Sequence, residues 1–178
     1  MRSYDYSNRD GIDPITWERF AELSRGLAES LESCNVDLVV GVARGGLFPA
    51  TAVACALRCE FFPVRLSRRE ADEVQHPHPV WRVPVSGFVN GKRVAIIDDV
   101  ADSGETLETV RQEVFGHGAF SVVTAALVSH SWAKPTPDFS AVQSDALVLF
   151  PWDRQVLVEG SWVPHPELEK ALRFQSRE

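Results

Sequence analysis

Cysteine is scarce in this sequence of 178 residues: Cys34, Cys55 and Cys59 are the only three. Their spacing forms neither a disulfide framework nor a metal-binding pattern. Cys55 and Cys59, one helical turn apart, suit a shared helix face as small apolar residues. Basic charge is also short: 18 Lys and Arg stand against 25 Asp and Glu, a net charge of −7. That balance speaks against nucleic acid as a partner, because phosphate-backbone binding rests on a basic face. An anionic substrate would need cations gathered locally. No apolar run approaches the ~18–20 residues of a membrane span. The opening Met-Arg-Ser-Tyr-Asp-Tyr has no apolar signal core behind its arginine. These absences point to a reducing, cytoplasmic setting, with neither nucleic acid nor membrane as partner. No Gly-x-x-x-x-Gly-Lys-Ser/Thr run occurs, which excludes a P-loop nucleotide triphosphatase. Asp102-Ser103-Gly104 lacks the glycine that precedes a nucleophile-elbow serine by two residues.

Hydrophobic residues make up 44% of the chain, enough at this length for one domain with a sizeable core. The stretch that organises it runs from Lys92 to Leu107. Val94 to Ile97 is apolar without alternation, as in a parallel strand covered on both faces. Asp98 and Asp99 stand where that strand should end, and Asp102, Ser103 and Gly104 form a turn. Leu107, Val110, Val114 and Phe115 then recur at helical spacing. Strand, acidic turn and helix put the acids at a strand's carboxyl end, where open α/β sheets bind ligands. Free N–H groups at the helix start, with the hydroxyls of Ser103 and Thr106, suit a phosphate. The two carboxylates suit sugar hydroxyls and a hard cation. A receiver domain also carries paired acids after an apolar strand, but near its amino terminus rather than past the middle.

Before this stretch, Asp13-Pro14 predicts a helix start, with Trp17, Phe20, Leu23, Leu27 and Leu31 as a stripe ending at Cys34-Asn35. Val36–Val42 predicts a strand, Ala43-Arg44-Gly45-Gly46 a loop and Leu47–Leu57 an apolar helix. Glu60–Leu66 predicts a second strand. Residues 67–90 lack an apolar rhythm and contain Arg68, Arg69, Arg82 and His76-Pro77-His78-Pro79. A loop of such length is a lid or a disordered insertion; the histidine pair lacks a third metal ligand. Phe120–Val128 and Ala146–Phe150 predict two more strands, and Trp162–Phe174 a turn and closing helix.

Val94 to Leu107 resembles the phosphoribosyl-pyrophosphate (PRPP) motif of the type I phosphoribosyltransferases: apolar strand, two acids, two variable residues, then Asp-Ser/Thr-Gly-x-Thr. Every defining position is present: Asp98, Asp99, Asp102, Ser103, Gly104 and Thr106. Arg44-Gly45-Gly46 is similar to the pyrophosphate loop of the 6-oxopurine branch. Pro137-Asp138-Phe139 and Phe150-Pro151-Trp152-Asp153 resemble further signatures of that branch.

The resemblance implies an α/β fold of one domain, 1–178, with a mostly parallel central sheet flanked by helices. It places a flexible hood at 67–91 and an acceptor-side segment at 140–178, while the polar residues 1–12 read as a loosely held arm. The implied reaction moves phosphoribose from PRPP to xanthine, guanine or hypoxanthine, with Mg2+ as cofactor and a homodimer or homotetramer as the assembly. Asp98, Asp99, Ala101, Asp102, Ser103, Gly104, Glu105 and Thr106 would bind PRPP, with Asp98 and Asp99 also on the metal. Arg44 and Gly45 would hold pyrophosphate, and Asp102 would act on the acceptor's nitrogen. Two positions depart from the branch. The lysine usual just past the strand ending at Val128 falls near Ser129 or His130, with Lys134 four or five residues later. The stacking aromatic four residues before Pro151 is Leu147. Base contact would then fall to Leu147, Val148 and His130. The base is left open, as is a non-catalytic protein that binds PRPP or a nucleotide, or transfer to another base.

Overall fold

The unbroken apolar runs become the middle of a sheet. The computed structural model describes residues 9, 11–67, 69–70, 73–74 and 80–165. These residues divide between two compact units, one drawn from 1–20 and 144–178, the other from 21–143.

In chain order, β1 is Ile12–Pro14 and α1 is Trp17–Leu31, followed by a 3-10 turn at Glu32–Cys34. Then come β2 (Leu38–Val42), α2 (Leu47–Leu57), β3 (Glu60–Ser67), β4 (Arg69–Glu70), β5 (Glu73–Val74) and β6 (Val80–Val83). A second 3-10 turn, Gly87–Val89, precedes β7 (Arg93–Ala101), α3 (Glu105–Gly116), β8 (Ser121–Ser129) and β9 (Phe139–Gln143). β10 (Leu147–Leu149), β11 (Gln155–Val158) and β12 (Ser161–Pro164) complete the series.

In the larger unit six strands run in the order β6-β3-β2-β7-β8-β9. All neighbours are parallel except β6, which adds an antiparallel edge to β3. Alternate residues serve opposite faces. Leu38, Val40, Val94 and Ile96 pack with Leu107, Val110 and Val114 of α3. Val39, Ala95 and Ile97 pack with Leu27 and Leu31 of α1 and with Ala50 and Val53 of α2. Burial on both faces is why these strands show no polar alternation. The α/β class and the mostly parallel sheet are as expected. Among the described residues, no helix is long and apolar enough to cross a membrane.

The smaller unit pairs β1 with β10 in parallel, and its aromatic residues cluster. Trp152 stacks on Phe150 at 4.7 Å and meets Phe20 edge-on at 5.4 Å. β11 and β12 form a hairpin turned by Glu159 and Gly160, both at positive φ, as a two-residue turn of that hand requires.

Several boundaries differ from expectation. Asp13-Pro14 does not start a helix; it lies in β1, where the missing N–H of Pro14 costs nothing on an edge. The helix cap is Thr16, whose hydroxyl accepts the Arg19 N–H at 3.1 Å. Trp162 lies in β12 rather than in a turn leading to a closing helix. The segment at 67–91 contains β4, β5 and β6; β6 is a mostly exposed edge strand, too short to write an apolar rhythm. Most of the polar arm, Arg68, the His76–Pro79 run and the expected helix beyond 165 lie outside the described residues.

Candidate active site

β7 does not stop at the acids. Its ladder with β8 continues through Val100 and Ala101, which pair with Val128 and Ser129. On the other side β2 pairs only as far as Ile97. There the chain leaves β2 and turns through Arg44, Gly45 and Gly46 into α2, so the two strand-to-helix turns meet. A β-carbon on Gly46 would lie 2.7 Å from Oδ1 of Asp98 and 2.6 Å from the Val42 carbonyl. On Gly45 it would overlap Oδ2 of Asp99. Glycine is required at both places because the carboxylates occupy the space of a side chain. The Ala43–Arg44 peptide is cis, and Arg44 is exposed.

Asp98 is 9% exposed, and its Oδ1 accepts the Asp99 N–H at 2.9 Å. Burial, then the neighbouring Asp99 carboxylate, push the Asp98 carboxyl well above the usual carboxylate range. Asp99 in turn accepts from the Val100 N–H at 3.0 Å. Among the described residues no cluster of three or more His, Cys, Asp or Glu could hold a metal by itself. Two carboxylates suit a cation such as Mg2+, which takes one or two from protein and its remaining oxygens from water and substrate.

Asp102, Ser103 and Gly104 form the turn into α3, with Gly104 at φ 82°. The Ser103 hydroxyl lies 3.4 Å from the Glu105 N–H, and the Glu108 N–H reaches the Gly104 carbonyl at 3.2 Å. The N–H groups of the helix's first turn therefore point out of its end, where an anion is favoured.

The loop after β8 packs on this turn. His130 N–H donates to the Ala101 carbonyl at 3.1 Å, and Lys134 N–H to the Ser103 carbonyl at 2.9 Å. A β-carbon on Gly104 would overlap the Pro135 carbonyl, and the Lys134–Pro135 peptide is cis. Lys134, late in the sequence count, is thus carried back to the turn, with its side chain exposed. The His130 ring is 0% exposed and stacks on Trp132 at 4.5 Å. The Trp132 indole N–H donates to Oδ1 of Asp102 at 3.0 Å. Nothing in the sequence marks Trp132: an aromatic near a strand end carries no signal separating contact from packing.

Pro137-Asp138-Phe139 acts here as a structural lock. The Asp138 carboxylate accepts from the Thr124 amide at 2.7 Å and the Thr124 hydroxyl at 3.0 Å, and pairs with Arg111. Leu147 and Val148, in the smaller unit, are 1% and 6% exposed, and the Leu147 N–H donates to the Gly11 carbonyl at 2.9 Å.

A parallel α/β sheet with an acidic turn and a glycine turn at adjacent strand ends defines a ligand-binding α/β protein of the strand-end kind. The family model described as "Phosphoribosyl transferase domain" matches residues 16–160. The chain belongs to the phosphoribosyltransferase family. It is 31% identical over 147 residues to the xanthine-guanine phosphoribosyltransferase of Cereibacter sphaeroides, covering 78% of this chain and 85% of that one. To the enzyme of the same name from Nitratidesulfovibrio vulgaris it is 32% identical over 149 residues, covering 82% and 86%. The crystal structure of a purine phosphoribosyltransferase from Pyrococcus horikoshii matches with a TM-score of 0.73 at 32% identity. That match covers 83% of this chain and 98% of that one.

Proposed function

We propose that this protein transfers the 5-phosphoribosyl group of PRPP to a ring nitrogen of a 6-oxopurine (xanthine, guanine or hypoxanthine) and releases pyrophosphate, a purine-salvage reaction. The observation that carries this reading is the meeting of Gly45 and Gly46 with Asp99 and Asp98. It sets a turn suited to pyrophosphate against acids suited to the ribose diol of the same donor. Relatives about 30% identical that bear xanthine-guanine names support the choice of base.

In this reading the backbone N–H groups of residues 102–106, with the Ser103 and Thr106 hydroxyls, hold the 5′-phosphate. Ala101 and Glu105 flank that cradle. Asp98 and Asp99 accept from the ribose hydroxyls and would hold Mg2+. When bound, the cation supplies charge neutralisation of the departing pyrophosphate. Arg44 and the Gly45 backbone bind the leaving group's oxygens. The sugar carbon that loses pyrophosphate becomes cationic, so the protein's work is positioning, charge stabilisation and exclusion of water. Asp102 accepts the proton of the acceptor's ring nitrogen or hydrogen-bonds to it. Lys134 takes the role of the family's lysine and donates to the 6-oxo group, since its backbone is held against Ser103. Base contact by Leu147 and Val148 falls to their backbone, since both side chains are buried, and the buried His130 ring is turned to Trp132 instead. A cytoplasmic homodimer or homotetramer accords with the family resemblance.

The test is purified protein with PRPP, Mg2+ and a panel of xanthine, guanine, hypoxanthine, adenine and uracil, following pyrophosphate release. Release with the 6-oxopurines alone is expected. Release with adenine or uracil alone moves the acceptor. PRPP binding without release from any base would make the protein a non-catalytic binder.

A further inference from the structure

The reaction proposed above needs Asp102 aimed at the acceptor, yet Asp102 lies in a turn with a side chain 36% exposed. A half-exposed carboxylate on a turn samples several rotamers unless something holds it. We infer that Trp132 is the positioning residue for Asp102, its indole N–H fixing Oδ1 and thereby the direction in which the carboxylate is presented.

Three features make Trp132 fit for this. Its N–H meets Oδ1 at 3.0 Å, an ordinary hydrogen-bond length. Its ring plane is set by His130, fully buried and stacked on it at 4.5 Å with an interplanar angle of 18°. The segment bearing both is tied to the acidic turn on either side of Asp102, through His130 to Ala101 and Lys134 to Ser103. Donor and acceptor therefore move as one piece. The chemistry also suits: an indole N–H is a donor only, so it can hold a carboxylate oxygen in one direction without adding charge. His130, expected on the base from the sequence, becomes the backing of the indole, with Nε2 4.0 Å from Oδ1 of Asp102.

This inference rests on the transferase reading, and its test separates the two. Trp132→Phe keeps an aromatic ring to stack on His130 and removes the N–H donor. Measured with saturating PRPP and the preferred 6-oxopurine, kcat should fall about tenfold, the effect of losing one hydrogen bond to a charged group. The KM for PRPP and the melting temperature should be unchanged. In an Asp102→Ala background the same change should alter residual turnover less than about twofold, since Trp132 then has nothing to orient. An equal loss in both backgrounds, or an unchanged kcat, overturns the inference. A second measurement reads the contact without turnover: the Trp132 indole signal in a 15N NMR spectrum, identified by its loss in Trp132→Phe, should move in Asp102→Ala. No movement also overturns it. If wild-type protein releases no pyrophosphate with any of the bases, the reaction is misread and the positioning role falls with it. An indole signal that still moved would show that the contact stands and the chemistry does not.

Discussion

Gly45 touches the Asp99 carboxylate through a hydrogen atom alone: a methyl group in its place would overlap Oδ2. The two residues lie more than fifty positions apart, on turns that follow adjacent strands, and the contact fixes the spacing between two halves of the proposed donor site.

Gly45→Ala should therefore push the Asp99 side chain or the loop out of place. A displacement of order 1 Å in a site of this kind costs up to about a hundredfold in rate. Turnover should fall on that scale, and calorimetric titration with PRPP and Mg2+ should show weaker binding. A variant that binds PRPP as tightly as wild type would mean the two turns do not act on one ligand.

Asp102→Asn keeps the shape and an accepting oxygen for Trp132 but removes the base. Turnover should fall by about 10²–10⁴, the range for a general acid–base group, with PRPP affinity within about twofold of wild type. If donor binding were lost instead, Asp102 would belong to the donor site and not to the acceptor step.

Lys134→Met retains the aliphatic stem and removes the ammonium. The KM for the 6-oxopurine should rise by about tenfold, as expected for one charge-assisted hydrogen bond, while the KM for PRPP stays constant. Steady-state kinetics with each substrate varied in turn decides this. An unchanged base KM returns the 6-oxo contact to another residue.

Acid stability should carry the signature of Asp37. Arg93 donates to both its carboxylate oxygens, at 3.0 and 2.6 Å, and its backbone N–H adds a third bond at 3.0 Å. The hydrogen bonds from Arg93 hold the Asp37 carboxyl down to about 2. In the unfolded chain an Asp titrates near ~3.9. Because the folded value is depressed, the contribution is complete above about pH 4 and disappears as pH falls toward 2. Urea midpoints of wild type and Asp37→Asn should differ by a constant amount between pH 7 and 4 and converge below that. A gap unchanged at pH 2.5 would show that the carboxylate is not what Arg93 stabilises.

The sheet was legible because residues buried on two faces leave a run of apolar side chains with no alternation. Val94–Ile97 and most of Phe120–Val128 announced central strands for this reason. The acidic turn was legible because its residues are contiguous and each is required. What was not legible has two causes: partners distant in sequence, and strands too exposed to carry a pattern. Asp13-Pro14 carries the local grammar of a helix start, yet residues 12–14 pair with 147–149, and that ladder overrides it. The hairpin at 155–164 has two exposed, mixed strands, so burial writes no pattern into them. Lys134 counted as too late because spacing along the chain measures contour, whereas the loop from 130 to 135 folds back onto Ser103. Trp132 and Asp102 belong to different loops, and only the structure brings them within hydrogen-bond reach.

The parallel pairing of Ile12–Pro14 with Leu147–Leu149 has a consequence for biosynthesis. The early strand leaves the ribosome long before its mate is translated, while the six-stranded sheet needs nothing beyond Gln143 for its last member. The six-stranded sheet can then assemble before β10 is made. Residues 12–14 would find their place only after residues 147–149 emerge.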